Sequence, residues 1–218
     1  YVCTCSQEAF KNHISSKTNC PCRSLKVKEN LLRWKNMLNK NGFKPGKAVL
    51  RFKSNMKDSN PAMRDFPLAR VNEVLHPRTK NKYRVWPLMN LAVFSDDIEQ
   101  GMTHIIRAKD HRDNAKRQGM IYAALKIGKN KIPWIGFLGK FHFKDFELST
   151  RKILEGIKLK KYSGWDDPKL PTVASLKKQG YKPQAFWKFA ERIGLSENDK
   201  LIDRKEFFTL LDNFNKIK

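Results

Sequence analysis

Four cysteines fall in the first 22 residues and none later, as Cys3-Thr4-Cys5 and Cys20-Pro21-Cys22. Between the two C-x-C pairs lies a short polar segment with a helical pattern. Paired ligands close in sequence let a small knuckle close a tetrahedral four-thiolate shell around zinc, so Cys3, Cys5, Cys20 and Cys22 are the candidate metal ligands. A disulfide reading is weaker, because the start Y-V-C-T-C-S has no export signal and cytosolic thiols stay reduced. His13 lies between the pairs and reads as a surface histidine.

Charge narrows the class of partner. Forty-five Lys and Arg against 21 acidic residues make the formal charge +24, which favours a polyanion. Residues 1–84 hold 19 basic and 5 acidic groups, residues 85–150 hold 10 and 7, and residues 151–218 hold 16 and 9. The flanks thus suit a phosphate backbone, and the middle suits an enclosed core. The alternative is a lysine-rich solvated surface with no partner at all. No apolar run approaches a membrane span, so no membrane partner is expected. A DNA partner is not expected either, and the expected setting is cytoplasmic. The chain begins at Tyr1 without an initiator methionine and reads as a fragment or a processed piece.

Periodicity predicts a helix over 28–41, with Leu31, Trp34 and Leu38 on one face and Gly42 as its stop. Strands are predicted over 47–53, 66–71 and 83–94, with turns at Asn60-Pro61 and His76-Pro77. From Val85 short apolar strands alternate with helices, which predicts a parallel α/β sheet. Its further strands are 103–107 and 132–137, and the helix between them has Asp110 as a candidate cap and Asp113 in its first turn. Helices are predicted over 172–179, 183–193 and 203–214, the first two stopped by Gly180 and Gly194. Trp165 reads as core, and Asp166 and Asp167 as turn caps.

Several motifs stand in a fixed order: G-M-T-H-I-I-R-A-K-D-H-R-D-N from Gly101, then Leu148-Ser149-Thr150-Arg151-Lys152, then S-G-W-D-D-P from Ser163. In open α/β sheets ligands gather at the carboxyl ends of strands, and Arg107 ends one. Its planar guanidinium suits a carboxylate, or else it pairs with Asp96 or Asp97.

Together these motifs resemble the second half of the catalytic region of a glutamyl-tRNA synthetase of the archaeal and eukaryotic type, a class I synthetase. The resemblance runs from the cysteine pairs to Leu211. It implies an α/β fold class: the second half of a Rossmann-type catalytic fold, with part of an α+β acceptor-binding insertion before it and a helical stem-contact domain after it. The implied domains are 1–84 with the zinc knuckle, 85–147 with the second half of the nucleotide-binding sheet, and 148–218 with a KMSKS-like loop and the helices. The implied activity is formation of glutamyl-adenylate from glutamate and ATP (with Mg2+), then transfer of glutamate to tRNA(Glu).

The same resemblance implies site residues. Arg107, Met89, Asn90 and Val93 would bind the amino acid. Leu148, Ser149, Thr150, Arg151 and Lys152 would bind ATP, with Ser149, Arg151 and Lys152 as its catalytic members. The chemistry would be stabilisation of charge developing on the phosphates. Arg64, Arg78, Lys177 and Lys178 would contact tRNA, with Arg84 and Lys182 at further matching or basic positions.

Two positions depart from the family pattern. Met89 stands where a tyrosine usually reads the substrate side chain, and a thioether cannot donate the phenol's hydrogen bond. Ala108 replaces a glycine. No H-x-G-H sequence occurs either, so this chain alone is expected to be inactive and to need a chain or segment bearing that half. The alternatives are a glutaminyl-tRNA synthetase, or a non-catalytic, zinc-containing tRNA-binding fragment of a synthetase.

Overall fold

The computed structural model describes residues 1–216. The chain divides into two compact units, Tyr1–Ile105 with Asp110–Ile135, and Ile106–Lys109 with Gly136–Lys218.

The first unit starts with strand β1 (Val2–Cys3), helix α1 (Gln7–Ser16) and helix α2 (Val27–Leu38). Ser6 caps α1 by accepting the Ala9 N–H at 3.1 Å, and Lys17 ends the helix in the left-handed conformation at φ 58°. Strands β2 (Val49–Arg51), β3 (Pro67–Val71) and β4 (Val85–Pro87) join β1 in an antiparallel sheet of order β1-β2-β3-β4. Its register pairs Val2 with Leu50, Leu50 with Ala69, and Ala69 with Pro87. One face of this sheet packs under α2, where Val2, Met37, Ala48 and Val71 form a buried cluster flanked by Trp34 and Leu50. Burying a side chain the size of Met37 contributes about 1.5–3 kcal/mol.

The buried stripe of α2 differs from the one expected. Leu31 and Leu38 are exposed, whereas Met37 is completely buried and Trp34 half-buried. At 100° per residue Trp34 lies between Met37 on one side and Leu31 and Leu38 on the other, so the buried stripe is rotated from the expected one toward Met37. The position of the sheet sets that rotation.

The segment 83–94, expected to be one strand, is β4 followed by helix α3 (Met89–Glu99). Pro87 cannot donate to a continuing ladder, and Asn90 and Phe94 then recur at helical spacing as the buried positions. β4 also closes the antiparallel sheet instead of opening a parallel one. Strand β5 (His104–Ala108), helix α4 (Arg112–Ala124) and strand β6 (Trp134–Leu138) follow, and β5 pairs with β6. His111 holds the cap position of α4 without a side-chain bond, Asp110 lies in the short 3-10 turn just before it, and Asp113 lies in the first turn as expected. Helices α3 and α4 bury Phe94, Ile121 and Tyr122 against Phe66, with the Phe94 and Tyr122 rings 4.9 Å apart.

In the second unit, strand β7 (Phe141–Phe143) pairs in parallel with β8 (Lys200–Ile202), helix α5 (Thr150–Lys158) follows β7, and helices α6 (Val173–Lys178), α7 (Pro183–Ile193) and α8 (Arg204–Lys216) surround an aromatic core. Leu176, Ala185, Ile202, Phe207 and Leu211 are buried there, and Phe141, Phe143, Phe146 and Phe189 pack against them. Gly180 (φ 91°) and Gly194 (φ 68°) end α6 and α7 in a conformation that only glycine adopts without strain.

Candidate functional site

The four cysteines meet. Cys3 ends β1, Cys5 precedes α1, and Cys20 and Cys22 flank Pro21 at the start of a 3-10 turn (Pro21–Ser24). All four sulfurs lie within 4.8 Å of one another, with Cys3–Cys20 and Cys5–Cys22 at 3.9 Å. A tetrahedral zinc–thiolate shell has sulfur–sulfur edges of about 3.8 Å, so the set has the donors and spacing to hold a metal ion. His13 instead bonds the Thr18 hydroxyl at 3.0 Å.

The thiols are electrostatically unequal. Burial pushes the Cys5 thiol up to about 12, helped by Cys3 and Cys22 beside it. Burial also opposes ionisation of Cys22, yet the Thr4 N–H, the Thr4 hydroxyl and the Arg33 guanidinium outweigh it and bring Cys22 down to about 6. Thr4 N and Oγ1 lie 3.5 Å from Cys22 Sγ, and Arg33 Nη1 lies 3.3 Å from it. The two C-x-C pairs gave no hint of Thr4 or of Arg33, which comes from α2.

Asp65 ties the knuckle to the sheet. It is buried, forms an ion pair with Arg23, and accepts the Tyr1 hydroxyl at 2.8 Å and the Ser54 N–H at 2.7 Å.

Of the residues expected to touch tRNA, Arg64 is a correction. It is buried, and its guanidinium donates to the carbonyls of Asp58 (2.8 Å), Ile14 (2.6 Å) and Ser59 (3.2 Å). Arginine at this position serves as an internal strut because it can saturate several carbonyls at once. Arg84 is a second strut: it donates to the carbonyls of Met37 and Phe43, both at 2.8 Å, at the end of α2, and pairs with Glu73 at 2.7 Å. Arg78 is exposed beside the His76 turn, and Lys177 is exposed on α6. Lys178 is exposed but pairs with Asp166 at 3.0 Å, which holds that carboxyl below its usual range. The Lys182 N–H donates to Asn215 at 3.0 Å.

The stretch Leu148 to Lys152, expected as a loop, is mostly the first turn of α5. Ser149 is its cap, accepting the Lys152 N–H at 3.4 Å. Glu147 accepts the Ser149 N–H at 3.0 Å and pairs with the Lys152 ammonium at 3.3 Å, and both contacts hold its carboxyl below the usual range. Leu148, Thr150 and Arg151 are exposed. Two cations at a helix amino end, where backbone N–H groups also point outward, can attract phosphate oxygens.

Met89, Asn90 and Val93 all lie on α3 in the first unit. Met89 is exposed, and Asn90 is buried with its Oδ1 lacking a hydrogen-bond partner. Met89 and Val93, four residues apart, share a face. Arg107 is half-buried near the end of β5, in the tetrapeptide grouped with the second unit. Nearby, Lys109 pairs with Asp199 at 2.9 Å. Trp165, expected in the core, is 41% exposed, while Asp167 caps its turn as expected by accepting the Ser163 and Lys169 N–H groups at 2.8 Å.

Residues 1–213 match the family described as tRNA synthetases class I (E and Q), catalytic domain, and the chain belongs to that family. Among curated relatives, the glutamate–tRNA ligase of Methanobrevibacter smithii is 39% identical over 98% of this chain and 38% of its own length. Those of Methanocaldococcus jannaschii and Pyrococcus furiosus are 41% and 40% identical over 91% and 93% of this chain, each over 35% of its own length. The chain thus spans little more than a third of these relatives. Among the described residues no helix is long and apolar enough to cross a membrane.

Proposed function

We propose that the chain is part of a glutamate–tRNA ligase, which forms glutamyl-adenylate from glutamate and ATP with Mg2+ and transfers the glutamyl group to tRNA(Glu) in the cytoplasm. The observation that carries this is the continuous likeness, at about 40% identity, to relatives named for glutamate. In this reading residues 1–84 are part of the acceptor-binding insertion, 85–147 the second half of the nucleotide-binding sheet, and 148–218 the phosphate-contacting turn and stem-contact helices. A further chain or segment with the H-x-G-H half completes the catalytic fold.

Arg107 would clamp the substrate carboxylate through paired N–H donors, and Met89, Asn90 and Val93 are further residues proposed to bind the amino acid. The unpartnered Asn90 Oδ1 is a candidate acceptor for an ammonium. Ser149, Arg151 and Lys152 would hold the phosphates as negative charge builds on the departing pyrophosphate, with Leu148 and Thr150 shaping the turn. Arg78, Lys177 and Lys178 would touch RNA phosphates. Zinc is the proposed ion at Cys3, Cys5, Cys20 and Cys22, supplying a cross-link that orders the knuckle.

The test is ATP–pyrophosphate exchange in the full-length protein. Glutamate should support exchange and glutamine should not. Arg107→Ala should lower kcat/KM for glutamate by a factor corresponding to about 2–5 kcal/mol of lost transition-state stabilisation, the cost of truncating one side of a charge pair. Exchange that prefers glutamine would refute the reading.

A further inference from the structure

We propose that Arg33 and Arg51, two arginines outside the cysteine knuckle, balance the charge of its metal-bound thiolates. Retention of the ion then depends on α2 and β2 as well as on the four ligands. The inference rests on the zinc reading of Cys3, Cys5, Cys20 and Cys22.

A divalent ion in four thiolates leaves a net charge of −2, and three of these cysteines are buried. Buried charge is costly unless it is paired. The knuckle itself offers little for this. The Thr4 N–H and hydroxyl approach Cys22, and the Tyr1 hydroxyl lies 3.6 Å from Cys20 but donates to Asp65 at 2.8 Å. All of these groups are neutral.

The two cations set against the sulfurs come from elsewhere. Arg33, on α2, places Nη1 3.3 Å from Cys22 Sγ, 3.3 Å from Thr4 Oγ1 and 3.4 Å from the Val2 carbonyl. Its carboxylate partner Glu29 is engaged by the other nitrogen, at 3.5 Å. Arg51, on β2, places its guanidinium carbon 3.4 Å from the centroid of the Phe10 ring, which packs with Cys3, Cys20 and Cys22. Among the described residues no carboxylate pairs with Arg51, and its buried Nε has no hydrogen-bond partner. Arg33 thus bonds Cys22 directly, Arg51 lies over the Phe10 ring of the same cluster, and two positive charges stand beside the −2 of the loaded site. Arginine suits this place better than lysine because its planar head is less strongly hydrated and bonds several acceptors at once.

Removing groups that hydrogen-bond metal ligands commonly costs ten- to a hundredfold in affinity. The experiment follows metal release from the full chain to 4-(2-pyridylazo)resorcinol, with the cobalt-substituted protein reporting coordination by its thiolate charge-transfer bands. Arg33→Met and Arg51→Met should each release metal about tenfold faster or more, while keeping four-thiolate cobalt spectra and wild-type circular dichroism. Arg33→Lys should restore part of the retention. Should Arg33→Met fail to fold, Arg33→Gln, which keeps a donor without the charge, should release metal faster than Arg33→Lys. Equal rates in that pair, or wild-type release from the folded Met variants, would overturn the proposal. A wild-type chain with no four-thiolate cobalt spectrum would instead remove the zinc reading beneath it.

Discussion

The guanidinium of Arg64 donates to the carbonyl of Ile14 at 2.6 Å, across fifty residues of sequence. Through this bond and those to Asp58 and Ser59, an arginine expected to face RNA holds the end of α1 against the turn before β3. Arg64→Ala would leave three carbonyls without this donor. Hydrogen bonds to a charged group contribute about 1.5–3 kcal/mol each, and part of that is recovered from water, so a net loss on the order of 3 kcal/mol is expected. Urea unfolding followed by circular dichroism measures it. RNA affinity of the folded fraction should be unchanged; a selective loss of RNA binding at wild-type stability would restore Arg64 as a contact.

Asp65 is the acceptor on which Arg23, Tyr1 and Ser54 converge. Asp65→Ala strands the mostly buried Arg23 guanidinium without a carboxylate. Breaking one side of such a pair costs about 3–5 kcal/mol, several times the value of an exposed ion pair. The midpoint of urea unfolding should fall accordingly. A shift equal to that of Lys178→Ala, at an exposed pair, would argue against this role.

Acid should loosen the turn before α6. The Ser163 and Lys169 N–H groups hold the Asp167 carboxyl below its ordinary value. A lowered folded pKa means the stabilisation is complete above the unfolded value of about 3.9 and is lost as pH falls through the lower folded value. Melting temperature should therefore drop on the acid side of about pH 4, and Asp167→Asn should flatten that part of the profile. Identical pH profiles for the two proteins would exclude Asp167 as a contributor.

Ser149 gives a stability readout separable from chemistry. Its hydroxyl caps α5, and Ser149→Ala should cost about 1 kcal/mol of helix stability. Ser149→Asp keeps the cap and should recover that stability. It also places a negative charge beside Arg151 and Lys152, so in the full-length enzyme the KM for ATP should rise. Parallel recovery of stability and ATP binding would argue against a phosphate site at this turn.

Much of the secondary structure was legible because its signals are local. Pro183 and Gly194 bracket α7 at the expected bounds, Thr172 and Gly180 bracket α6, and the paired cysteines announced their own cluster. The short strands β7 and β8 carried no such signal. Each is three residues long, and their pairing joins segments nearly sixty residues apart. The boundary at Met89 was missed because an apolar run reads equally well as strand or helix until a neighbour chooses the buried face.

The sequence by itself determined the family, through the order of its motifs, together with the cysteine cluster and most helix ends. Tertiary structure alone decided which arginines are struts and which are exposed. A guanidinium looks the same in sequence whether its acceptors are phosphates or backbone carbonyls; Arg64 and Arg84 found carbonyls, Arg33 a thiol, and Arg78 solvent. That choice depends on which acceptors the folded chain brings within about 3 Å, a distance set by contacts between residues far apart in sequence.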